Sequence, residues 1–190
     1  MTTPPGKPSL RAELRRARRG LPPAQAAAEA AGTVAALAAW LATWPSPPVI
    51  ASYLAVPGEL DLAELHAREW AAGRPVWLPA VRGLDLDWHP VAALDQVRPG
   101  AFALCEPDPG RISAATLPAQ AVVLVPGVGY GRDGRRLGQG GGFYDRFLAT
   151  HAGPAIGIGF ACQRRDDLPL DPHDHPVVGV LLGAAWVLAP

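Results

Sequence analysis

Lysine is almost absent from this sequence of 190 residues: Lys7 is the single lysine, beside 16 arginines. An excess of charge of either sign is absent too, because 17 basic side chains balance 17 acidic ones. A protein that captures nucleic acid through a broad basic surface carries a positive excess, so no nucleic-acid partner is expected. The lone lysine of an arginine-rich chain is a candidate functional residue, with a solvated lysine near the terminus as the alternative.

Long apolar runs are also missing. The longest apolar region, residues 24–44, is interrupted by Gln25, Glu29, Gly32 and Thr33, and so predicts no membrane span. The sequence opens Met-Thr-Thr-Pro-Pro-Gly, without the apolar segment of a signal peptide. We therefore expect a cytoplasmic protein with no membrane partner. A chain of this length is expected to form one domain over residues 1–190.

Cysteine is scarce: the chain contains only Cys105 and Cys162, and neither belongs to a C-x-x-C pair. Two such cysteines cannot form a metal cluster by themselves. We expect both to be buried thiols.

Hydrophobic periodicity alternates between helical and strand spacing along the chain. Leu10, Leu14 and Ala17 recur at helical spacing and predict an amphipathic first helix that Gly20 ends. A capping box of Asp61 and Glu64 predicts the start of a helix that runs to residue 71. Further helices are predicted over residues 22–44 and 143–150.

Strands are predicted between these helices, over residues 49–54, 76–81, 84–91, 121–126, 155–160 and 177–182, with a long irregular segment over residues 99–118. The segment 84–91 is expected at an edge or in a hairpin, and 177–182 as the last central strand. Alternating strands and helices predict an α/β fold whose mostly parallel sheet is covered on both faces. In such folds ligands bind beyond the carboxyl ends of the strands.

Residues 135–147, with the sequence RRLGQGGGFYDRF, combine four glycines with three arginines at the end of a predicted buried strand. Glycine lets backbone N–H groups approach a ligand closely, and a loop that opens a helix binds anions through such groups. Together with Arg132, Arg135 and Arg136, the loop 138–142 predicts a polyphosphate site. Asp145 then supplies a carboxylate for Mg²⁺. A mobile surface loop with a helix-start aspartate is the alternative.

A second glycine pattern lies just upstream. Gly129, Gly131 and Gly134 spell the G-x-G-x-x-G of nicotinamide oxidoreductases. The glycines at 138–142 postpone the helix that this pattern requires, so a dinucleotide fold is not expected. A P-loop does not fit either, because no lysine followed by Ser or Thr closes the glycine run.

A polar patch near the C-terminus holds Asp171, His173, Asp174 and His175. Such a patch can indicate zinc, but two prolines break any helix or strand that would fix the spacing of ligands. A turn is expected, with one of its carboxylates completing a Mg²⁺ site with Asp145.

The pattern R-x-G-x-R-L-G-x-G-G-G-x-Y-D over residues 132–145 resembles the 5-formyltetrahydrofolate cyclo-ligases, also called 5,10-methenyltetrahydrofolate synthetases. Further family signals occur in order along nearly the whole chain: Lys7, Leu10 and Arg11, Tyr53 to Glu59, Leu78-Pro79, Glu106-Pro107, Phe160 to Gln163, Leu168-Pro169 and His173-Asp174. The resemblance implies a three-layer α/β/α sandwich. It also implies ATP- and Mg²⁺-dependent cyclisation of 5-formyltetrahydrofolate to 5,10-methenyltetrahydrofolate, with release of ADP and phosphate. We expect a monomer.

The resemblance also implies the roles of individual residues. ATP is implied to contact Lys7, Arg11, Arg132, Arg136, Leu137, Gly138, Gln139, Gly140, Gly141, Gly142, Phe143 and Tyr144. The folate is implied to contact Leu54, Glu59, Gln139, Gly140, Gly141, Gly142 and Phe143. Arg136, Gly140 and Tyr144 are implied to act in catalysis, and Asp145 and Asp174 to bind Mg²⁺. Trp77 and Trp88 are the tryptophans favoured near a pterin.

One departure from the family pattern lies after His173-Asp174, where residues 177–182 are apolar instead of reaching a polar pair. This difference leaves Asp174 less secure as a metal ligand than Asp145. It also leaves open an alternative function, a folate- or nucleotide-binding protein that keeps the pocket without turnover.

Overall fold

The structure, a computed structural model, describes residues 6–99 and 105–190. Residues 1–5, which enter the prediction about a signal peptide, lie outside the described residues, as do residues 100–104 of the predicted irregular segment. Within the described ranges, no helix is long and apolar enough to cross a membrane.

The helices follow the predicted order. In the described residues they are α1 (Lys7–Arg19), α2 (Pro23–Leu41), α3 (Ala63–Ala71) and α4 (Phe143–Leu148). Gly20 caps α1 at its C-terminus, as predicted. Helix α2 ends before the prolines at 45–48 rather than at residue 44, and α4 ends two residues before the predicted 150.

The inward stripe of α1 differs from the prediction. Leu10, Leu14 and Arg18 are buried, whereas Ala17 is exposed. The buried residues of α1 are therefore spaced four apart, so the third of them is Arg18 rather than Ala17.

The strands are short. They are β1 (Ile50–Ala51), β2 (Val76–Arg82), β3 (Asp85–Val91), β4 (Val97–Pro99), β5 (Cys105–Pro107), β6 (Val122–Pro126), β7 (Gly129–Tyr130), β8 (Arg136–Leu137), β9 (Ala155–Gly159), β10 (Gly179–Leu182) and β11 (Ala185–Leu188). Seven of them form the main sheet in the order β11-β10-β9-β6-β1-β2-β3. The strands β4 and β5 form one antiparallel pair, and β7 and β8 another.

The main sheet is parallel in its five inner strands and antiparallel at both edges. Strand β3 lies at an edge as a hairpin partner of β2, as predicted. Strand β1 lies between β2 and β6, with Ile50 opposite both Val76 and Val122. The chain thus adds β2 on one side of β1 and later adds β6 on its other side. Such a reversal opens a crevice at the carboxyl ends of the two strands.

Two layers of side chains cover the sheet. On one face, Val34 and Leu37 of α2 and Leu65 of α3 pack with Val122, Leu124, Ile156 and Ile158 of the sheet. On the other face, Phe147 and Leu148 of α4 pack with Val123, Val125, Val180 and Leu182. The fold is therefore the expected three-layer α/β/α sandwich with a mostly parallel central sheet.

Three predicted elements differ in the structure. The predicted strand 49–54 is shorter in the structure, where β1 ends at Ala51. Beyond it Tyr53 is buried, and its hydroxyl donates a hydrogen bond of 2.8 Å to the Leu60 carbonyl oxygen. The capping box at Asp61 was the wrong interpretation, since α3 begins after Leu62 and Asp61 accepts a hydrogen bond from the Ala63 N–H at 2.9 Å. The chain after β10 also adds an unpredicted edge strand, β11.

Neither cysteine is a buried thiol. The side chain of Cys105 is exposed and that of Cys162 is partly exposed. Cys105 belongs to the two-stranded β4–β5 sheet rather than to the main core. Cys162 follows β9 in a short 3-10 turn and packs against the edge of the core that contains α2.

Candidate active site

A cleft of about 640 Å³ lies at the carboxyl ends of the inner strands, where the strand order reverses. Tyr53 and Leu54, just after β1, form its floor together with Pro126, the last residue of β6. The remaining walls come from β2, β3, β5, the C-terminal turns of α1, and the segment that links β8 to α4. The predicted location beyond the strand ends is therefore the location of this cleft.

The glycine loop, residues 138–142, joins β8 to α4 along one wall of the cleft. Gly140 and Gly142 have φ angles of 112° and 69°, which side chains other than glycine rarely adopt. At Gly141 a Cβ would lie 2.7 Å from the ring of Phe143. Backbone conformation thus favours glycine at positions 140 and 142, and a side chain at position 141 would displace the ring of Phe143.

Polar contacts fix the loop from several sides. The Arg11 Nε donates to the Gly138 carbonyl oxygen at 2.9 Å, and an Arg146 guanidinium nitrogen donates to the Gly141 carbonyl oxygen at 3.1 Å. The side chain of Gln139 accepts a hydrogen bond of 2.5 Å from Arg15 and donates one of 3.0 Å to Glu59. The loop therefore touches both α1 and the segment that carries Glu59.

Arg136 and Asp145 form a buried ion pair beside the loop. Their atoms lie 2.7 Å apart, and the side chains are 3 % and 17 % exposed. Arg136 also lies 5.8 Å above the ring of Tyr144, and its buried Nε has no hydrogen-bond partner in the described residues. Burial raises the pKa of the Tyr144 phenol well above its ordinary value, so the phenol is neutral at pH 7.

Lys7 forms ion pairs with the polar patch near the C-terminus, residues 171–175. Its Nζ lies 2.7 Å from a carboxylate oxygen of Asp171 and 2.5 Å from one of Asp174. Burial lowers the pKa of Lys7, but the hydrogen bonds to both aspartates outweigh this effect and raise it above its ordinary value. Ligand atoms of Asp171, His173 and Asp174 all lie within 4.8 Å of one another. The single positive charge of the lysine ammonium balances one of the two aspartate charges in this cluster.

The two candidate Mg²⁺ ligands come from neighbouring segments. The N–H of His175, the residue after Asp174, donates to Oδ1 of Asp145 at 3.3 Å. Burial raises the pKa of Asp174, but hydrogen bonds from the Asp171 N–H and from Lys7 outweigh it, and the pKa lies below its ordinary value. The Asp174 carboxylate is therefore ionised at neutral pH.

Some implied site residues lie elsewhere. Arg132 pairs with Asp166 at 2.9 Å with its side chain 65 % exposed, and it does not line the cleft. Leu137 is buried in a cluster with Leu10 and Leu14, so only its backbone is near the loop. Leu54, Glu59 and the other implied loop residues either line the cleft or adjoin it.

The two tryptophans favoured near a pterin belong to the core rather than to the cleft lining. Trp77 packs against the core on the α4 side of the sheet. Trp88 packs against Phe147, with ring centroids 5.0 Å apart.

Other residues enter the cleft without a role assigned from sequence. Arg15, Arg18 and Arg19 contribute the α1 wall, and their clustering on a basic helix face was the available signal. Pro79 and Glu106 also line the cleft, and both belong to two-residue patterns that carry the family resemblance.

The upstream glycine pattern lies in the antiparallel β7–β8 hairpin, with Gly129 opposite Leu137. No helix begins there, because α4 starts only at Phe143. This local structure lacks the strand–turn–helix unit of a dinucleotide site.

Comparison with known proteins gives a consistent result. The sequence model of the 5-formyltetrahydrofolate cyclo-ligase family matches residues 4–183. The 5-formyltetrahydrofolate cyclo-ligase of Escherichia coli is 32 % identical over 149 residues, which cover 71 % of this chain and 80 % of that protein. The Mycolicibacterium smegmatis protein of the same name is 32 % identical over 153 residues, covering 74 % and 76 %.

The fold is similar as well. The NMR structure of the 5,10-methenyltetrahydrofolate synthetase from Aquifex aeolicus matches with a TM-score of 0.78 and 26 % identity, covering 95 % of this chain and 91 % of that chain. Sequence and fold agree over nearly the same span, which includes the glycine loop and both candidate metal ligands. The chain is an enzyme of the 5-formyltetrahydrofolate cyclo-ligase family.

Proposed function

We propose that this enzyme uses ATP and Mg²⁺ to convert 5-formyltetrahydrofolate to 5,10-methenyltetrahydrofolate, releasing ADP and phosphate. The observation that carries the proposal is the 3.0 Å hydrogen bond between Gln139 of the glycine loop and Glu59. The loop is the proposed phosphate site, and Glu59 is the proposed folate contact. Their direct contact supports a cleft in which the γ-phosphate of ATP meets the formyl group of the folate.

The proposed reaction needs activation of a poor leaving group. The formyl oxygen attacks the γ-phosphate of ATP, and the bond from that phosphate to ADP breaks. The folate N10 then forms a bond to the activated carbon and loses its proton, and the C–O bond breaks to release phosphate. Such phosphoryl transfer depends on positioning and on neutralisation of charge rather than on a protein nucleophile.

The residues on the proposed ATP side of the cleft supply positive charge and hydrogen-bond donors. Arg11 reaches the loop at Gly138, and Arg136 stands beside it with a free Nε–H in the described structure. The neutral Tyr144 phenol, next to Arg136, offers a hydroxyl donor. We propose that these groups and the loop amides hold the transferring phosphate.

On the folate side, Glu59 has a carboxylate that accepts hydrogen bonds. The donor edge of a pterin ring presents N–H groups suited to a carboxylate. The apolar side chains of Leu54 and Val81, which also line the cleft, can pack on the ring faces.

Asp145 and Asp174 fit the proposed Mg²⁺ site. In Asp145, Oδ1 accepts hydrogen bonds from Arg136 and from the His175 N–H. In Asp174, Oδ2 accepts hydrogen bonds from the Lys7 ammonium and from the Asp171 N–H. The second oxygen of each makes no hydrogen bond to the described residues, and carboxylate oxygens are the ligands that Mg²⁺ prefers. Bound there, Mg²⁺ supplies positive charge to phosphate oxygens.

The test is an assay of the purified protein with 5-formyltetrahydrofolate, ATP and Mg²⁺. We expect methenyl absorbance in the near ultraviolet to rise in step with ADP, and both signals to vanish in Asp145→Ala. Arg132→Ala, a change outside the cleft, serves as the matched control and should retain activity. Absence of both signals in the unmodified protein would contradict the proposal.

The alternative function, a folate- or nucleotide-binding protein without turnover, is not needed to explain the apolar residues on which it rested. It rested on apolar residues at 177–182, and most of these form β10, a buried strand of the main sheet. Their apolar character is explained by packing. The same assay decides the alternative, since a binding protein would retain both ligands without forming product.

A further inference from the structure

Arg18 carries a buried guanidinium that has no partner among residues 6–99 and 105–190. It is only 9 % exposed, and its Nε and Nη1 are buried with no hydrogen-bond acceptor among the described residues. It also forms no ion pair within those residues, although other arginines of the chain do. Its side chain lines the cleft, where it lies against Gly58: a Cβ on Gly58 would be 3.5 Å from the Arg18 Nε.

An arginine in this position stays charged, because its guanidinium is not deprotonated in proteins. Buried N–H donors without acceptors are costly, and a buried charge without a partner more so. An oxyanion in the cleft would satisfy both requirements through charge-assisted hydrogen bonds. The unsatisfied guanidinium therefore points to an anionic ligand group at this wall.

The charge of the cleft is unevenly distributed. Its acidic lining residues are Glu59, Glu106 and Asp145, and Arg136 is already paired with Asp145 beside the glycine loop. The other cationic lining residues all belong to the last turns of α1: Arg15, Arg18 and Arg19. Carboxylates of a bound molecule are thus attracted to the arginines of the α1 wall.

Position along α1 separates Arg18 from Lys7 and Arg11, the residues of this helix that belong to the proposed phosphate site. Lys7 and Arg11 precede Arg18 by 11 and 7 residues, which corresponds to roughly 16 and 10 Å along the helix axis. Arg18 instead adjoins Gly58, the neighbour of Glu59 in the proposed folate site.

We infer that Arg18, supported by Arg15 and Arg19, binds the carboxylates of the glutamate tail of the folate. This inference rests on the proposed function, because a folate is the substrate whose anionic tail it explains. Arg18 is thereby a specificity-determining residue: it distinguishes folates with a charged tail from pterins without one.

The test measures binding without ATP, so that it does not depend on turnover. Arg18→Met removes the guanidinium and keeps an apolar stem, and Arg16→Met is the matched control, because Arg16 is exposed on the same helix and does not line the cleft. Calorimetry would compare 5-formyltetrahydrofolate with an analogue whose glutamate is replaced by an uncharged alkylamide.

We expect Arg18→Met to weaken binding of 5-formyltetrahydrofolate about 10- to 100-fold. The uncharged analogue should bind the unmodified protein and Arg18→Met equally, and Arg16→Met should behave as the unmodified protein. The Tm of Arg18→Met should not fall, since the substitution removes an unpaired buried charge. Arg18→Lys, which keeps the charge without the planar fork, should lose less affinity than Arg18→Met.

Equal losses for both folates would overturn the inference by placing Arg18 on the pterin. In a separate titration with ATP, a loss of ATP affinity together with unchanged folate affinity would also overturn it, by assigning Arg18 to phosphate. An Arg18→Met protein that binds 5-formyltetrahydrofolate with unchanged affinity would also overturn it while leaving the proposed function intact. If the unmodified protein bound no folate, the proposed function and the inference would fail together.

Discussion

The Asp145→Asn substitution removes the negative charge that faces the buried guanidinium of Arg136. The paired atoms lie 2.7 Å apart and the side chains are 3 % and 17 % exposed. Removing one partner of such a pair leaves a charge uncompensated and costs about 3–5 kcal/mol. Asparagine retains one acceptor for Arg136, so we expect the lower end, about 3 kcal/mol. For a chain of this size that loss corresponds to a Tm lower by roughly 6–12 °C.

Thermal unfolding followed by circular dichroism without ligands measures this loss. The matched control is Asp166→Asn, which breaks the Arg132–Asp166 pair on the surface, where the side chains are 65 % and 38 % exposed. Water solvates both partners of that pair, so no measurable change in Tm is expected. The double variant Arg136→Met with Asp145→Leu removes both charges together and should recover most of the lost stability.

Equal changes in Tm for Asp145→Asn and Asp166→Asn would refute the argument that burial makes the Arg136 pair strong. A double variant as unstable as Asp145→Asn would mean that Asp145 acts through packing rather than through charge.

Three further outcomes can be checked separately. Gly141→Val should reduce ATP affinity at least about 10-fold, because the valine side chain would displace the ring of Phe143 and fill the loop. Equilibrium titration with ATP measures this loss. The control is Gly110→Val at an exposed position with no close backbone neighbour, which should leave the ATP affinity unchanged. Glu59→Ala should weaken folate far more than ATP, by about 10- to 100-fold; equal losses for both ligands would instead assign Glu59 to the fold. His66 of α3 is buried, and its Nε2 lies 2.8 Å from the hydroxyl oxygen of Ser52. Burial lowers the pKa of His66 to about 4, whereas the unfolded chain has the ordinary value of about 6.5. The stabilisation by neutral His66 is therefore complete above pH 6.5 and is lost as pH falls toward 4, by up to about 3 kcal/mol. Denaturant titrations of His66→Gln should lack this part of the pH dependence, and an unchanged pH profile would contradict the assignment.

The order of helices and strands follows from sequence because each element carries its own periodicity. The apolar run at 121–126 and the alternation in 84–91 are local signals, and β6 and β3 occur where these signals lie. Strand β11 escapes prediction because its hairpin uses Gly183 and Ala184, both at positive φ. Alanine rarely adopts that conformation, so the turn has no strong sequence signature.

The site shows the same division between local and distant signals. The glycine loop and Asp145 lie within one short segment, where spacing alone indicates an anion site. The contact of Lys7 with Asp174 joins residues 167 positions apart, so it depends on the packing of the whole chain. The burial of Arg18 depends likewise on how α1 meets the Gly58 segment, and helical spacing alone favoured Ala17.

The side chain of Gln139 has a consequence for how the two ligands affect each other. It connects the glycine loop to Glu59 and also accepts a hydrogen bond from Arg15. Under the proposed function, a folate that engages Glu59 releases this amide, and the freed loop is the one that receives the nucleotide. Breaking the contact between Gln139 and Glu59 then contributes to the binding free energy of both ligands. Thermodynamic linkage requires folate to change the affinity for ATP by the same factor by which ATP changes the affinity for folate.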